Sequence, residues 1–138
     1  MTKRRSIEVE HVYAHPPAKV WKALTDPKLH ARWWAAGDVR PVVGHTFELD
    51  MGKWGMQPCE VLQVEPERLL QYRFALDTII TWHLSPEGGG TRLKLVHDGF
   101  DLDSPLAKQA YEGMRNGWPA VLEHLGETLD AAIPSGTL

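Results

Sequence analysis

Apolar and polar residues alternate along most of this chain, and the alternation divides it into strands. Residues 6–13 place an apolar or aromatic side chain at nearly every second position, which is the period of a strand with one face in water. The pattern returns in the middle of the chain, in residues 44–50, 56–64, 69–74, 78–84 and 91–97. Short connections favour antiparallel neighbours, so the pattern predicts an antiparallel meander of about six strands.

Helical spacing interrupts the strands in two places. Pro16 and Pro17 precede apolar residues at helical spacing, and Asp26 before Pro27 is typical of a second helix start. Two short helices are therefore expected between the first two strands. The other place begins at Ser104, an N-cap residue followed by proline. From there an apolar stripe predicts one long helix. The stripe is formed by Leu106, Ala110, Met114, Trp118, Val121, Leu122, Leu125 and Leu129.

Two residues within this long helix are unfavourable there. Gly117 and Pro119 each disfavour a helix interior, by about 1 and about 3 kcal/mol. Pro119 cannot donate a hydrogen bond to the carbonyl of Arg115, so we expect a kink or local unwinding that presents Trp118 to the interior. Two separate helices are the alternative. Gly117 is expected to let the backbone approach the sheet or a ligand closely.

Composition narrows the class of protein. The chain has 138 residues, 43% of them hydrophobic, and a net charge of −3. These values predict one domain over residues 1–138 with a frayed tail from about residue 133, and no basic field for nucleic acid. No apolar run is long enough for a membrane span, and the N-terminus does not resemble a signal peptide. A single cysteine suits a reducing compartment, so we expect a cytoplasmic monomer or homodimer.

Few polar residues are candidates for catalysis, metal binding or anion binding. The seven histidines form no HExxH motif and there is one cysteine, so we expect no metal site and no cofactor. His97 is a weak candidate for acid–base catalysis, because its neighbour Asp98 should point to the opposite face of the strand; a core histidine is the alternative. Cys59 has no neighbouring base and is expected to be a buried or half-buried thiol. Arg40 could bind an anionic head group or simply pair with Asp38.

Four segments resemble one known family, in the right order along the chain. They are VYAHPPAKVWKALTDPKLHARWW, CEVLQVEPERLLQYRF, ITWHLSPEGGGTRLKLVHDGF and GWPAVLEHL. The sequence resembles the heat-shock protein 90 ATPase activator C-terminal-like family, within the START-like, polyketide-cyclase-like (SRPBCC) superfamily. The resemblance implies an α+β helix-grip fold, in which a curved antiparallel sheet wraps around a long C-terminal helix. The eukaryotic co-chaperones also carry a separate N-terminal domain, which has no counterpart in this sequence, so activation of a chaperone ATPase is not inferred.

The resemblance also implies a cavity between the sheet and the long helix. We expect it to bind a small hydrophobic or amphipathic molecule without catalysis. The predicted ligand-binding residues are Trp33, Arg40, Phe47, Val61, Tyr72, Phe74, Ile80, Trp82, Leu95, His97, Met114, Trp118 and Leu122. The same aromatic residues could instead be packed core.

Two other functions stay open at this point. One is a chaperone-interacting or stress-response partner protein, with a filled interior and an outer patch that includes Trp54 or Trp34. The other is a cyclase- or dehydratase-like enzyme, with His97 as the acid–base group and Arg40 or Tyr72 as its polar partner.

Overall fold

The structure is a computed structural model and describes residues 4–132. The predicted frayed tail lies outside the described residues. Six strands are present: β1 (Arg4–Tyr13), β2 (Thr46–Asp50), β3 (Met56–Glu65), β4 (Leu69–Phe74), β5 (Thr78–Glu87) and β6 (Gly90–Asp101). The α-helices are α1 (Pro17–Thr25), α2 (Pro27–Trp33) and α3 (Pro105–Ala132), and single 3₁₀ turns occupy Gly52–Trp54 and Ala75–Asp77.

All six strands form one antiparallel sheet in the order β1-β6-β5-β4-β3-β2. The β5–β6 hairpin turns at Gly88 and Gly89, whose φ angles of 55° and 83° suit a two-residue turn with both residues in the left-handed region. In the second half of β5 the alternation holds, since Trp82 and Leu84 are buried and His83 is exposed, whereas Thr81 is buried as well. Together with α3 and the two short helices, this sheet confirms the predicted α+β helix-grip fold.

The short helices α1 and α2 follow each other almost without a loop. The Asp26 carboxylate caps α2 by accepting hydrogen bonds from the backbone N–H groups of Lys28 and Leu29, at 2.9 and 3.4 Å. Leu24 of α1 and Trp33 of α2 are buried in the core, and the Trp33 indole nitrogen donates to the carbonyl of Ala23 at 2.9 Å. This bond fixes a large ring between the short helices and the sheet.

The long helix α3 is unbroken from Pro105 to Ala132, with Pro119 inside it. The predicted local unwinding and the alternative of two helices are both wrong, and the kink stays a prediction. Pro119 lies on the exposed side of α3, where solvent can reach the carbonyl of Arg115, while the neighbouring Trp118 is completely buried. Packing of the buried side therefore offsets the cost of the proline. The expected close approach of Gly117 to the sheet is also wrong, because a Cβ placed there would meet nothing within 4 Å.

The cover over the apolar stripe of α3 changes along the helix. Trp118, Leu122, Leu125 and Leu129 are buried. Met114 is only half-buried, and Leu106 at the start of the helix is 53% exposed. The first half of the helix therefore lies over space that the core does not fill.

Candidate ligand-binding cavity

A cavity of about 360 Å³ lies beside the first half of α3. Its other walls come from the connection between β2 and β3, from the segment that joins β4 to β5, and from β6. The lining residues are Met51, Trp54, Gln57, Phe74, Ala75, Leu76, Thr78, His97, Phe100, Leu106, Gln109, Ala110, Gly113 and Met114. Most of them are apolar, as in typical sites for small molecules.

A chain of hydrogen bonds through His97 supports one wall of this cavity. The indole nitrogen of Trp118 donates to Nδ1 of His97 at 3.1 Å. Because an indole N–H can only donate, Nδ1 must accept, and the proton of the neutral ring therefore lies on Nε2. Nε2 then donates to Oγ1 of Thr78 at 2.9 Å, and Thr78 donates onward to the carbonyl of Ala75 at 2.8 Å.

This arrangement leaves His97 unsuited to acid–base chemistry. Burial lowers the pKa of His97 from 6.5 to about 3, so the ring is neutral at physiological pH. Its only lone pair already accepts a hydrogen bond from Trp118. Asp98 is exposed, as expected for the next residue of a strand, and does not orient the imidazole. The geometry supports the alternative of a core histidine that holds Trp118 and Thr78 in place.

Large apolar side chains surround the mouth of the cavity. Trp54, Leu76 and Leu106 are 51%, 44% and 53% exposed, although all three line the cavity. Leu76 and Asp77 adopt positive φ angles of 58° and 61°, which is unfavourable for residues other than glycine. The hydrogen bond from Thr78 to Ala75 closes this strained turn at the rim.

The structure brings three of the predicted ligand-binding residues to the cavity and places the others elsewhere. Phe74, His97 and Met114 line it. Arg40 lies on the surface, where its Nε is 3.2 Å from the Asp38 carboxylate, and it does not line the cavity. The remaining predicted residues are buried core: Trp33, Phe47, Val61, Tyr72, Ile80, Trp82, Leu95, Trp118 and Leu122.

The core residues fail to line the cavity because they pack against one another. The Trp82 ring contacts the rings of Trp33 and Trp118 edge-on, with centroids 5.5 and 5.7 Å apart. The Trp82 indole donates to the Tyr72 hydroxyl at 3.0 Å, and burial raises the pKa of that hydroxyl. Trp34 is half-buried against this cluster, with its ring 4.9 Å from that of Trp118, and so does not form an outer patch.

The sequence reasoning missed most of the cavity wall. Leu106 and Ala110 carried a usable signal, because they share the predicted apolar stripe with Met114. Nothing in the sequence indicated that residues of the two 3₁₀ turns would line a cavity, since neither turn has a hydrophobic period. Trp54 was singled out for an outer patch, and its position at the mouth fits an exposed aromatic residue.

The other reactive groups lie away from this cavity. Cys59 is buried, and burial raises the pKa of its thiol to about 12, so it is not a nucleophile. His30 is also buried, which lowers its pKa to about 4, and its Nδ1 lies 2.7 Å from the carbonyl of Ala35. Across residues 4–132, His, Cys, Asp and Glu side chains form no cluster of three that could hold a metal ion.

Comparison with known proteins decides the family. A family model described as "Activator of Hsp90 ATPase homolog 1-like protein" matches residues 14–130. The chain belongs to this family. No functionally curated protein matches the sequence significantly. In the part of the chain that the structure describes, no helix is long and apolar enough to cross a membrane.

Solved structures share the fold along nearly the whole length of this family member. Protein MLL2253 from Mesorhizobium loti is 38% identical, with a TM-score of 0.83, and the match covers 91% of this chain and 97% of that one. Protein BH1534 from Bacillus halodurans is 28% identical, with a TM-score of 0.80 and coverages of 94% and 99%. The Aha1 dimer from Colwellia psychrerythraea is 18% identical, with a TM-score of 0.76 and coverages of 94% and 99%, and supports the fold alone.

Proposed function

We propose that this protein binds a small hydrophobic or amphipathic molecule in the cavity beside the first half of α3. The observation that carries the proposal is the uncovered part of the apolar stripe. Leu106, Ala110 and Met114 belong to the same apolar stripe as Trp118, yet all three border an opening of about 360 Å³. Ala110 and Met114 touch the edge of the core but are only partly buried, and Leu106 is 53% exposed. That volume lies in the range of about 300–1,000 Å³ that is usual for small-molecule sites.

Binding without catalysis fits the chemistry of the walls. His97 is the one histidine among the lining residues, but its pKa is lowered to about 3 by burial and both of its nitrogens are engaged. The thiol of Cys59 is not among the lining residues. The cavity thus offers shape and apolar contact rather than a base or a nucleophile, which makes the cyclase- or dehydratase-like alternative weaker.

Native mass spectrometry of freshly purified protein, followed by organic extraction, tests the proposal. We expect a discrete added mass that corresponds to a neutral or amphipathic compound. Ala110→Leu should reduce the fraction of protein that carries the added mass, because Ala110 lines the cavity and the longer leucine side chain would occupy part of its volume. Ala120→Leu is the matched control, since Ala120 lies on the same helix but is exposed and does not line the cavity.

Two results would count against the proposal. One is an added mass that is as abundant in Ala110→Leu as in the unmodified protein, which would place the ligand elsewhere. The other is an unliganded mass together with no thermal stabilisation by any of a panel of neutral apolar compounds. Binding to the folded state must raise the melting temperature, so a binder at a hundred times its Kd should add about 2.7 kcal/mol.

A protein partner is the second candidate function. Trp54, Leu76 and Leu106 expose large apolar side chains around the mouth, and the family is described by activation of an Hsp90 ATPase. If the mouth contacts such a chaperone, adding this protein should raise the chaperone's ATPase rate, and Trp54→Ala should reduce the effect. An unchanged rate would argue against this candidate. A role in stress, a cytoplasmic location and a monomeric or homodimeric state stay predictions.

A further inference from the structure

We infer that the cavity selects an uncharged ligand and holds it with its apolar end inward and a neutral polar group at the mouth. This inference rests on the proposed function and adds the ligand class and its orientation. Its first support is the charge of the walls, because the lining residues include no aspartate, glutamate, lysine or arginine. A charged group that lost its water there would have no counter-charge, which is strongly unfavourable.

The inner wall also offers little hydrogen bonding to a ligand. Nδ1 of His97 accepts from the Trp118 indole, and Nε2 donates to Thr78. The Thr78 hydroxyl then uses its single proton on the carbonyl of Ala75. An acceptor pushed to this wall would find no donor, since these protons are already engaged. The second lone pair of Thr78 Oγ1 belongs to a residue that is only 1% exposed, so a donor would reach it poorly and desolvating a polar group there would oppose binding. The inner end of the ligand should therefore be apolar.

Neutral hydrogen-bonding groups lie on the other elements that line the cavity. The amide of Gln57 is held by a 2.7 Å bond from its Nε2 to the carbonyl of Trp54, which leaves Oε1 as an acceptor. Gln109 lies on α3 and is exposed. Primary amides both donate and accept, so a hydroxyl, carbonyl or amide group of the ligand is the matching chemistry.

Matched pairs of probes test the charge selection by isothermal titration calorimetry at about pH 7.5. The pairs are decan-1-ol with decanoate, and 2-naphthol with 2-naphthoate, so that one pair is a flexible chain and the other a rigid ring. We expect the neutral member of at least one pair to bind at least tenfold more tightly than its carboxylate. Ala110→Leu should weaken that binding several-fold, because it narrows the cavity, and Ala120→Leu should leave it unchanged.

A separate variant tests the orientation of the ligand in the cavity. Gln109→Leu should weaken binding of the neutral probe several-fold, while Gln63→Leu, an exposed position on β3 outside the lining residues, should leave it unchanged. Equal affinity in Gln109→Leu and the unmodified protein would overturn the orientation.

The remaining outcomes separate this inference from the proposed function. A carboxylate that binds as tightly as its neutral partner overturns charge selection but leaves the proposed function intact. Loss of that carboxylate binding in Lys53→Gln would then identify the exposed Lys53 ammonium, which lies 5.5 Å from the centroid of the Trp54 ring, as the counter-charge. If none of the four probes binds, the proposed function and this inference both fail.

Discussion

The two halves of α3 carry the same kind of apolar stripe, but the second half packs against a filled core and the first half borders a cavity. From Trp118 to Leu129 the stripe is sealed against the sheet and the short helices, and the Tyr13 hydroxyl donates to the carbonyl of Leu122 at 2.6 Å. From Leu106 to Met114 the stripe borders a cavity. The difference shows that amphipathicity of a helix predicts which face turns inward, but not whether anything fills the space opposite.

What lies opposite each half explains the difference. The sealed half faces held rings, above all that of Trp82, which lies 5.7 Å from the ring of Trp118 between centroids and whose indole is bonded to the Tyr72 hydroxyl. The open half faces two 3₁₀ turns, Gly52–Trp54 and Ala75–Asp77, which contribute no fully buried residue. Each turn has only three residues and buries none of them, so the two turns form a rim and do not fill the space.

The largest expected effects come from removing one tryptophan beside each half of α3, which tests the comparison directly. Trp118→Ala should lower the free energy of unfolding by about 3–5 kcal/mol, because it deletes a fully buried ring and leaves a void. It also leaves Nδ1 of His97 without its donor. Urea denaturation followed by circular dichroism measures the change.

Trp54→Ala is the matched deletion opposite the open half, in the 3₁₀ turn Gly52–Trp54. Trp54 is 51% exposed, and apart from lining the cavity it interacts with Lys53 at the surface. The free energy of unfolding should fall by less than about 1 kcal/mol. Equal losses for the two variants would mean that the two halves are equally packed, and the contrast between them would be wrong.

His97 contacts both halves, because it lines the cavity and accepts a hydrogen bond from Trp118. The pH dependence of stability therefore tests how well this residue is buried between them. Its pKa is about 3 in the folded protein and should be near 6.5 when unfolded. The unfolded chain therefore binds a proton that the folded chain does not, between these two pH values. Stability that is fully present above about pH 6.5 should decrease as the pH falls toward 3, by up to about 1.4 kcal/mol per pH unit from this residue.

The variant His97→Gln isolates this contribution. Between about pH 6 and 4 its stability should fall less steeply than that of the unmodified protein, by about 2–3 kcal/mol over the interval. His30, whose pKa is about 4, adds a similar slope to both proteins and cancels in the difference. His83→Gln controls for loss of a histidine at an exposed position. Identical slopes for His97→Gln and the unmodified protein would show that His97 is not buried as a neutral ring.

These contrasts also show why the sequence predicted the fold better than the site. Strand and helix periods depend on each residue's own face, so the inward positions of Trp82, Trp118 and Leu122 were predictable. Whether an inward side chain packs or borders space depends on residues far away in the chain. Trp33 reaches the ring of Trp82 across 49 positions of sequence, and no period encodes that meeting.

The cavity wall was hard to predict for a second physical reason. Leu76 lines it from a turn in which two residues adopt positive φ angles without being glycine, so the turn carries no glycine signal. Pro119 misled in the opposite direction, because a proline on the solvent side of a well-packed helix need not break it. In both cases tertiary contacts outweighed local preference.

The smallest expected effects come from three glycines of α3, and they probe the two halves directly. A Cβ at Gly113, in the cavity wall, or at Gly117, one turn further on, would meet nothing within 4 Å. Alanine at either position should therefore raise the free energy of unfolding by up to about 1 kcal/mol through helix propensity. In the sealed half, a Cβ at Gly126 would lie 3.2 Å from Cε1 of Tyr13.

Tyr13 has little freedom to move away, because it is buried and bonded to the carbonyl of Leu122. Overpacking typically costs about 1–3 kcal/mol, so Gly126→Ala should be destabilising by about 1 kcal/mol after the gain in propensity is counted. Urea denaturation of the three variants gives the order Gly113→Ala and Gly117→Ala above the unmodified protein, and Gly126→Ala below it. A stabilising Gly126→Ala would mean that the sealed half can yield, and that its packing is no tighter than that beside the cavity.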